Sequence, residues 1–202
     1  MKAKFFVVCL LLAVLGLSVS MPAPAQEEKQ KSEKFSALAH MPHGAGPAMV
    51  GAGARVNVDL WVNSYTSDEE AKAMAGALLG GGADALLKML EKAKTIGKIR
   101  LTGRAGFYDF KLIRSHQTEN GRRIYAVGDR PIGFLESANQ PRSINYPFTI
   151  IEMQLNRSGE GEGRMSLATK VILDKKKNMI TLENFELQPV LLTQVKRVSS
   201  FN

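Results

Sequence analysis

The segment 108-YDFKLIRSHQTENGRRIYAV-127 decides the fold class of this chain. Two extended runs, residues 108–116 and residues 122–127, flank the tripeptide Glu119-Asn120-Gly121. An Asn-Gly pair between extended runs is the strongest short-range signal for a β-hairpin, because both turn positions favour positive φ. The segment therefore predicts two neighbouring antiparallel strands in the middle of the chain.

Further strands are predicted on both sides of this hairpin. In residues 55–63 the apolar side chains alternate strictly with the polar-face residues Asn57, Asp59, Trp61 and Asn63. Other extended runs are residues 98–103, 149–155, 165–173, 180–182 and 190–195. Because alternation with one polar face is typical of antiparallel pairing, we expect a curved antiparallel sheet or a partly closed barrel of about seven or eight strands.

A helical segment is predicted at about residues 68–95, directly after the strand at 55–63. Thr66 and Ser67 are each followed three residues later by a glutamate, which gives two overlapping capping-box patterns at the helix start. Apolar residues then recur at helical spacing on both sides of the interruption Gly80-Gly81-Gly82, and Gly97 is a candidate C-cap. The expected fold is α+β and mostly β, with the helix inserted after the first strand.

The N-terminus has the pattern of a secretory signal peptide in residues 1–25. Lys2 and Lys4 precede an uncharged apolar run, and Ala23-Pro24-Ala25 supplies an A-x-A-like cleavage site. The apolar run is shorter than the roughly 20 residues of a membrane span, so we expect cleavage, with a retained N-terminal anchor as the alternative. Ala25 is the first choice of cleavage site and Ser20 the second. The pattern predicts a protein that is exported, either periplasmic or secreted, with no transmembrane segment after cleavage.

The rest of the chain divides into a leader and one domain. Residues 26–54 are first highly polar and then rich in Gly, Ala and Pro, which predicts a disordered leader and a linker. Residues 55–198 are expected to form a single β-rich domain. Cleavage would remove Cys9, the only cysteine, so the mature domain would have no disulfide and no thiol chemistry.

The chain is mildly basic, with a formal net charge of +8. Such a balance favours anionic partners, although the basic residues are dispersed and give no specific signal for nucleic acid. Neither Gly51-Ala52-Gly53 nor Gly80-Gly81-Gly82 fits a dinucleotide or phosphate-loop motif, so no cofactor is predicted.

Two groups of residues are candidates for a ligand face. Trp61 lies on the polar face of its strand beside Asp59 and Asn63, where its ring could stack on a sugar or another flat ligand. Alternatively, the helix folds back and buries this ring. Arg114 and Arg123 belong to the central hairpin and could hold a carboxylate or a phosphate, unless cross-strand carboxylates pair with them.

The histidines are weak candidates for a metal site or for a catalytic base. His40 and His43 are spaced i, i+3 around Met41, ligand types that suit copper, but they lie in a predicted linker without a third ligand. His116 has no carboxylate or serine at a spacing that would make it a catalytic base. We therefore predict no metal site and no catalytic residue.

Several segments of the chain resemble those of a family of exported bacterial proteins of unknown function. The resemblance lies in Thr66–Glu70, in 121-GRRIYAVGDRPIGF-134 and in Tyr146-Pro147-Phe148, and it would extend over about residues 55–197. It implies a single domain and an envelope or secreted location. It implies no catalytic residue, cofactor or substrate.

The sequence as a whole favours an exported, non-enzymatic binding or interaction module of the cell envelope, with an anionic or glycan ligand. One alternative is a small hydrolase or isomerase with a site in the barrel mouth, assembled from distant carboxylates such as Asp59, Asp109 or Glu152. Another alternative is a structural envelope subunit that pairs through an edge strand.

Overall fold

The computed structural model describes residues 32–41, 55–103, 106–132, 145–174, 179–185 and 188–201. The predicted signal peptide and His43 lie outside these residues, as does the linker part at 42–54. The described chain is mostly β-structure, with one helix against a nearly closed antiparallel sheet. Its elements are β1 (Ser32–His40), β2 (Arg55–Val62), α1 (Asp68–Lys92), β3 (Gly97–Leu101), β4 (Tyr108–Phe110), β5 (Leu112–Thr118), β6 (Gly121–Gly128), β7 (Phe148–Asn156), β8 (Glu160–Asp174), β9 (Met179–Asn184) and β10 (Val190–Phe201).

The sheet has ten strands, so the predicted count of seven or eight is wrong. The strand order is β4-β3-β2-β1-β10-β8-β7-β6-β5, and β9 pairs with the far half of β8. Only Lys111 separates β4 from β5, and its backbone N–H donates to the Val127 carbonyl on β6 at 3.0 Å. One bent segment therefore joins the two ends of the strand order, and this brings the sheet close to a closed barrel.

Strand β1 corrects the predicted domain boundary. It lies between β2 and β10 and pairs with both, although residues 26–54 were expected to be a disordered leader and linker. Phe35, Ala39 and Met41 enter the barrel core. The described β-structure therefore includes Ser32–His40, which precedes the predicted start at Arg55, and α1 follows the second described strand, not the first.

Helix α1 begins and bends where the sequence predicts. Ser67 is its N-cap and forms a capping box with Glu70. Thr66, the other capping candidate, instead accepts a hydrogen bond from the Ile113 N–H at 2.9 Å. The interruption in the glycine run is a kink at Gly82, whose φ of 76° favours glycine.

The end of α1 differs from the prediction. The helix ends at Lys92 with Ala93 as its C-cap, and Gly97 is instead the first residue of β3. In that position Gly97 pairs with Val62 of β2 and with Phe110 of β4.

The central hairpin is present, with its turn one residue earlier than predicted. Thr118 pairs with Gly121, so the two loop residues are Glu119 and Asn120. Gly121 has a φ of 151°, and a Cβ at this position would collide with the Leu155 carbonyl oxygen on β7. Gly121 is therefore required both by its positive φ and by the approach of β7, although it lies just outside the two-residue loop.

Two apolar layers hold the molecule together. The first fills the barrel and includes Phe35, Leu60, Ile99, Ile151 and Met153. The second lies between α1 and the outer face of the sheet, where Met74, Leu78, Leu86 and Leu90 pack on residues that include Leu112, Phe148 and Val171. Because successive strand residues point to opposite faces, β5 to β8 contribute to both layers.

Helix α1 is long and apolar enough to cross a membrane by length and composition alone. Its most apolar window has a mean hydropathy of 1.3, and 28% of that window is buried in the structure. Six apolar side chains of α1 are buried, and those that include Leu78 and Leu90 pack on the sheet, so we describe α1 as a helix that lies against the sheet.

Candidate functional site

Strand β2 directs Asp59 and Trp61 away from the barrel core. Val58, Leu60 and Val62 are buried inside, so the residues between them point outward. Trp61 pairs with Lys34 on β1 and with Lys98 on β3. The register of these strands therefore places one tryptophan between two lysines on the outer face.

A second aromatic ring and a third cation complete this arrangement. Phe107, just before β4, meets the Trp61 ring edge-on with 5.6 Å between centroids. The Lys34 Nζ lies 4.8 Å from the Trp61 centroid, and the Arg100 guanidinium lies 5.5 Å from it. The Lys98 Nζ lies 4.5 Å from the Phe107 centroid and 5.8 Å from that of Trp61. We call Lys34, Trp61, Lys98, Arg100 and Phe107 the aromatic–basic surface.

Asp59 holds two of these cations in place. Its Oδ2 lies 3.3 Å from the Lys34 Nζ and 3.3 Å from the Arg100 Nη2. The Arg100 side chain is 44% exposed and the Asp59 side chain 18% exposed. The carboxylate thus lies beneath the guanidinium, whose other donors remain accessible to a ligand.

Helix α1 does not cover Trp61. It packs over β5 to β9, whereas Trp61 lies on the outer face of β2. The alternative in which α1 folds back to bury the ring is therefore wrong. Asn63 is exposed just beyond the end of β2, where its backbone N–H donates to the Ile96 carbonyl at 2.8 Å.

The structure does not bring Arg114 and Arg123 to Trp61. Arg114 donates to the Thr66 carbonyl at 2.8 Å and to the Asp68 Oδ1 at 2.6 Å, which ties β5 to the start of α1. The hydrogen bond from Arg114 lowers the pKa of Asp68. Arg114 is therefore paired within the protein, but with a carboxylate at the start of α1 and not with a cross-strand carboxylate as the alternative predicted.

Arg123 also pairs within the protein. Its Nε donates to the Gln154 Oε1 at 2.7 Å and lies 3.5 Å from the Glu152 carboxylate on β7. It shares the sheet face with Tyr125, which packs in the layer beneath α1. Arg123 therefore also lies on the outer side of the sheet, but on β6 beside the layer beneath α1, and not on β1 to β3 with the aromatic–basic surface.

The histidines are placed in two separate environments. His40 ends β1, and its Nε2 lies 2.7 Å from the Thr193 Oγ1. The residues that the structure describes hold no group of three potential metal ligands. Burial, followed by the charge of Arg114, lowers the pKa of His116, and the ring lies edge-on to Tyr125.

A polar cluster at one end of the barrel was missed by the sequence analysis. The Glu33 carboxylate accepts hydrogen bonds from Tyr65 Oη at 2.5 Å, from Arg122 at 2.6 and 3.0 Å, and from Arg197 at 3.4 Å. These four residues come from β1, the β2–α1 connection, β6 and β10. The cluster therefore joins remote parts of the chain across the end of the barrel.

Glu33 is charged in this cluster despite its burial. Burial by itself raises the pKa of Glu33, but the hydrogen bonds from Arg122 and Tyr65 lower it below the usual carboxyl range. Burial, together with the hydrogen bond to Glu33, raises the pKa of Tyr65. At neutral pH the cluster contains one carboxylate, a neutral phenol and two guanidinium groups, all engaged with one another.

The interior of the described barrel is filled. A void of about 10 Å³ lies among Phe35, Leu60, Ile99 and their neighbours, and another of about 10 Å³ lies beneath α1. Each has room for about one water molecule, and neither is lined by a carboxylate or a histidine.

The three carboxylates named for a barrel-mouth site have separate partners. Asp59 pairs with Lys34 and Arg100, Asp109 accepts from the Thr95 hydroxyl at 3.3 Å, and Glu152 pairs with Arg123. The structure therefore does not gather them into one site.

No family model, curated protein or solved structure matches this chain. The resemblance based on 121-GRRIYAVGDRPIGF-134 and Tyr146-Pro147-Phe148 therefore stays a prediction.

Proposed function

We propose that this protein is an exported, non-enzymatic binding module of the cell envelope, and that its ligand carries negative charge. The observation that carries the proposal is the aromatic–basic surface, where three cations lie over two aromatic rings on a sheet face that α1 leaves uncovered. Cations at such a surface attract an anion, and Arg100 can offer paired donors to a carboxylate or phosphate.

The geometry favours an anionic ligand over a stacked sugar. Lys34 and Arg100 already lie over the Trp61 ring, and Lys98 lies over Phe107. A sugar that stacked on either ring would have to displace a cation from it, with loss of a cation–π contact of about 0.5–1 kcal/mol. An anion that binds the ammonium and guanidinium groups keeps those contacts.

Export is supported by residues 1–25, which have the basic, apolar and small-residue regions of a cleavable signal peptide in the right order. The expected mature N-terminus is Gln26. The mass of the protein recovered from the periplasm or medium tests this, because a chain that retained residues 1–25 would contradict cleavage after Ala25.

A non-enzymatic role is supported by the filled barrel. In the described residues the voids are apolar, and Asp59, Asp109 and Glu152 lie with different partners. A hydrolase or isomerase site in the barrel mouth therefore has no supporting observation among these residues.

Trp61 provides a direct test because it is the only tryptophan in the chain. We expect tripolyphosphate, used as a soluble polyanion probe, to change the Trp61 fluorescence in a saturable way. The Lys98→Gln/Arg100→Gln variant should bind at least about tenfold more weakly, since it loses two charge-assisted contacts.

The matched control is Lys72→Gln/Lys88→Gln, which removes two positive charges from exposed positions of α1. This variant should bind tripolyphosphate as the wild type does. Equal weakening in both double variants would show that net charge alone, and not the aromatic–basic surface, attracts the anion. If no concentration of tripolyphosphate changes the Trp61 fluorescence, the proposed function is wrong.

A further inference from the structure

Phe107 is a large apolar side chain that lies on the surface of the protein, in contact with water. Its side chain is 42% exposed, so much of a ring that could be buried favourably is left in solvent. Its partner Trp61 lies edge-on to it, at 5.6 Å. An exposed phenylalanine packed against a half-buried tryptophan, on an otherwise polar strand face, offers a partner a small apolar contact area beside the cations.

The charges around this pair are predominantly positive. Lys34, Lys98 and Arg100 lie against the rings, and Arg130 donates to the Phe107 carbonyl at 3.2 Å. Two carboxylates, Asp59 and Asp109, lie opposite Arg100 and Lys98 in the strand register. Among the described residues, three cations lie against the rings and two carboxylates lie opposite them, which leaves an excess of positive charge beside the exposed ring.

The arrangement of rings and cations restricts the partner further. A nucleobase or a sugar needs the flat face of an aromatic ring, and cations lie over the faces of Trp61 and Phe107. What remains accessible is the exposed part of Phe107, surrounded by charged groups on long aliphatic stems. Aromatic rings at headgroup depth together with lysine and arginine are the side chains that proteins use at the surface of a bilayer.

We propose that the aromatic–basic surface docks this protein on an anionic phospholipid bilayer. The cations bind lipid phosphates while Phe107, with the edge of Trp61, enters the headgroup region. The inference rests on the proposed function and names its ligand. Each cation near the surface is expected to strengthen partitioning about fivefold, so binding should be reversible and sensitive to salt.

The test is sedimentation of the exported protein with vesicles of phosphatidylcholine, with or without phosphatidylglycerol, while Trp61 emission is recorded. We expect sedimentation and a blue shift of the emission only with the anionic vesicles. Phe107→Ala should weaken partitioning several-fold. Leu191→Ala is the matched control, because Leu191 is 44% exposed on β10 and should be neutral.

The possible failures are distinguishable. If tripolyphosphate still changes Trp61 emission but anionic vesicles bind no protein, docking on a bilayer is contradicted, whereas the proposed anion binding is not. If neither probe acts on Trp61, both proposals fail. Equal binding to neutral vesicles, or equal effects of Phe107→Ala and Leu191→Ala with circular dichroism unchanged, would also overturn docking through this surface.

Discussion

At the residue scale, the backbone of Gln194 is held in a conformation that is unfavourable for a residue with a Cβ. Gln194 lies in β10 with a φ of 52°, and it is the only non-glycine with positive φ among the described residues. The β1–β10 and β8–β10 registers both shift at this point, as expected for a β-bulge. The bulge therefore stores strain that a residue without a Cβ would relieve.

We predict that Gln194→Gly stabilises the protein. A left-handed conformation costs an L-residue about 1–2 kcal/mol, and part of the relief is offset because glycine loses more entropy on folding, so the net gain is roughly 0.5–1 kcal/mol. Urea denaturation measures it. Gln194→Ala is the control, and a glycine variant no more stable than the alanine variant would contradict the strain.

Single residues also show where sequence reasoning succeeds and where it stops. Ser67 and Glu70 were predictable as a capping box, and Gly82 as a hinge, because these features depend on neighbours in the chain. The outward position of Trp61 followed from strand alternation. Lys34 and Phe107 could not be assigned to the same surface, because their contact with Trp61 depends on which strands pair.

At the element scale, the start of α1 is fixed by two independent devices. The Ser67 hydroxyl accepts from the Glu70 N–H at 3.2 Å, and the Glu70 carboxylate accepts from the Ser67 N–H at 3.0 Å. Arg114 on β5 holds Asp68 and the Thr66 carbonyl. The capping box satisfies helix donors, while the arginine fixes the helix to the sheet.

We predict that Ser67→Ala destabilises the protein by about 1 kcal/mol, because a helix N–H loses its acceptor. Arg114 should keep the helix docked, so the circular dichroism spectrum should not change. Ser64→Ala, at an exposed position before the cap, serves as the control in chemical denaturation. Equal stabilities for the two variants would mean that the capping box contributes nothing measurable.

Strand β1 explains the largest error in the predicted architecture. Its sequence, SEKFSALAH, is polar at its start and rich in alanine, which has a low β-propensity. The available signal was the alternation of Phe35, Ala37, Ala39 and Met41, all of which contact the core. That alternation becomes decisive only when β2 and β10 provide hydrogen-bonding partners on both sides of β1.

At the scale of the whole molecule, the Glu33 cluster joins β1 to the rest of the barrel. Because the pKa of Glu33 is lower in the folded state, its charged form stabilises folding above the ordinary carboxyl pKa. That stabilisation is lost as the pH falls through the lowered pKa. The folded state should therefore lose stability at acid pH, as Glu33 becomes protonated.

We predict that Glu33→Gln destabilises the protein by about 2 kcal/mol at neutral pH, because Arg122 and Arg197 lose their carboxylate. The difference from wild type should shrink as the pH falls through the lowered pKa of Glu33. Urea unfolding over a pH series measures this. Glu160→Gln, which removes an exposed pair with Lys196, should change stability little at any pH. A Glu33→Gln difference independent of pH would contradict the account.

The general architecture was predictable, since strand alternation and one strong hairpin signal suffice for a mostly antiparallel sheet with a helix. A partly closed barrel was one of the two expected forms, but the way in which the sheet closes was not predictable, because it depends on the bend at Lys111 and on β1 joining β10. The aromatic–basic surface likewise depends on strand register, which places Lys34 and Lys98 on either side of Trp61.

The central claim is that an anion binds at the aromatic–basic surface. The most direct test is a ¹⁵N–¹H NMR titration, because a chain with one tryptophan gives one indole signal, that of Trp61. The account predicts that tripolyphosphate moves this signal in a saturable way, and that Lys98→Gln/Arg100→Gln greatly reduces the movement. An indole signal that stays in place while amide signals elsewhere shift would contradict it.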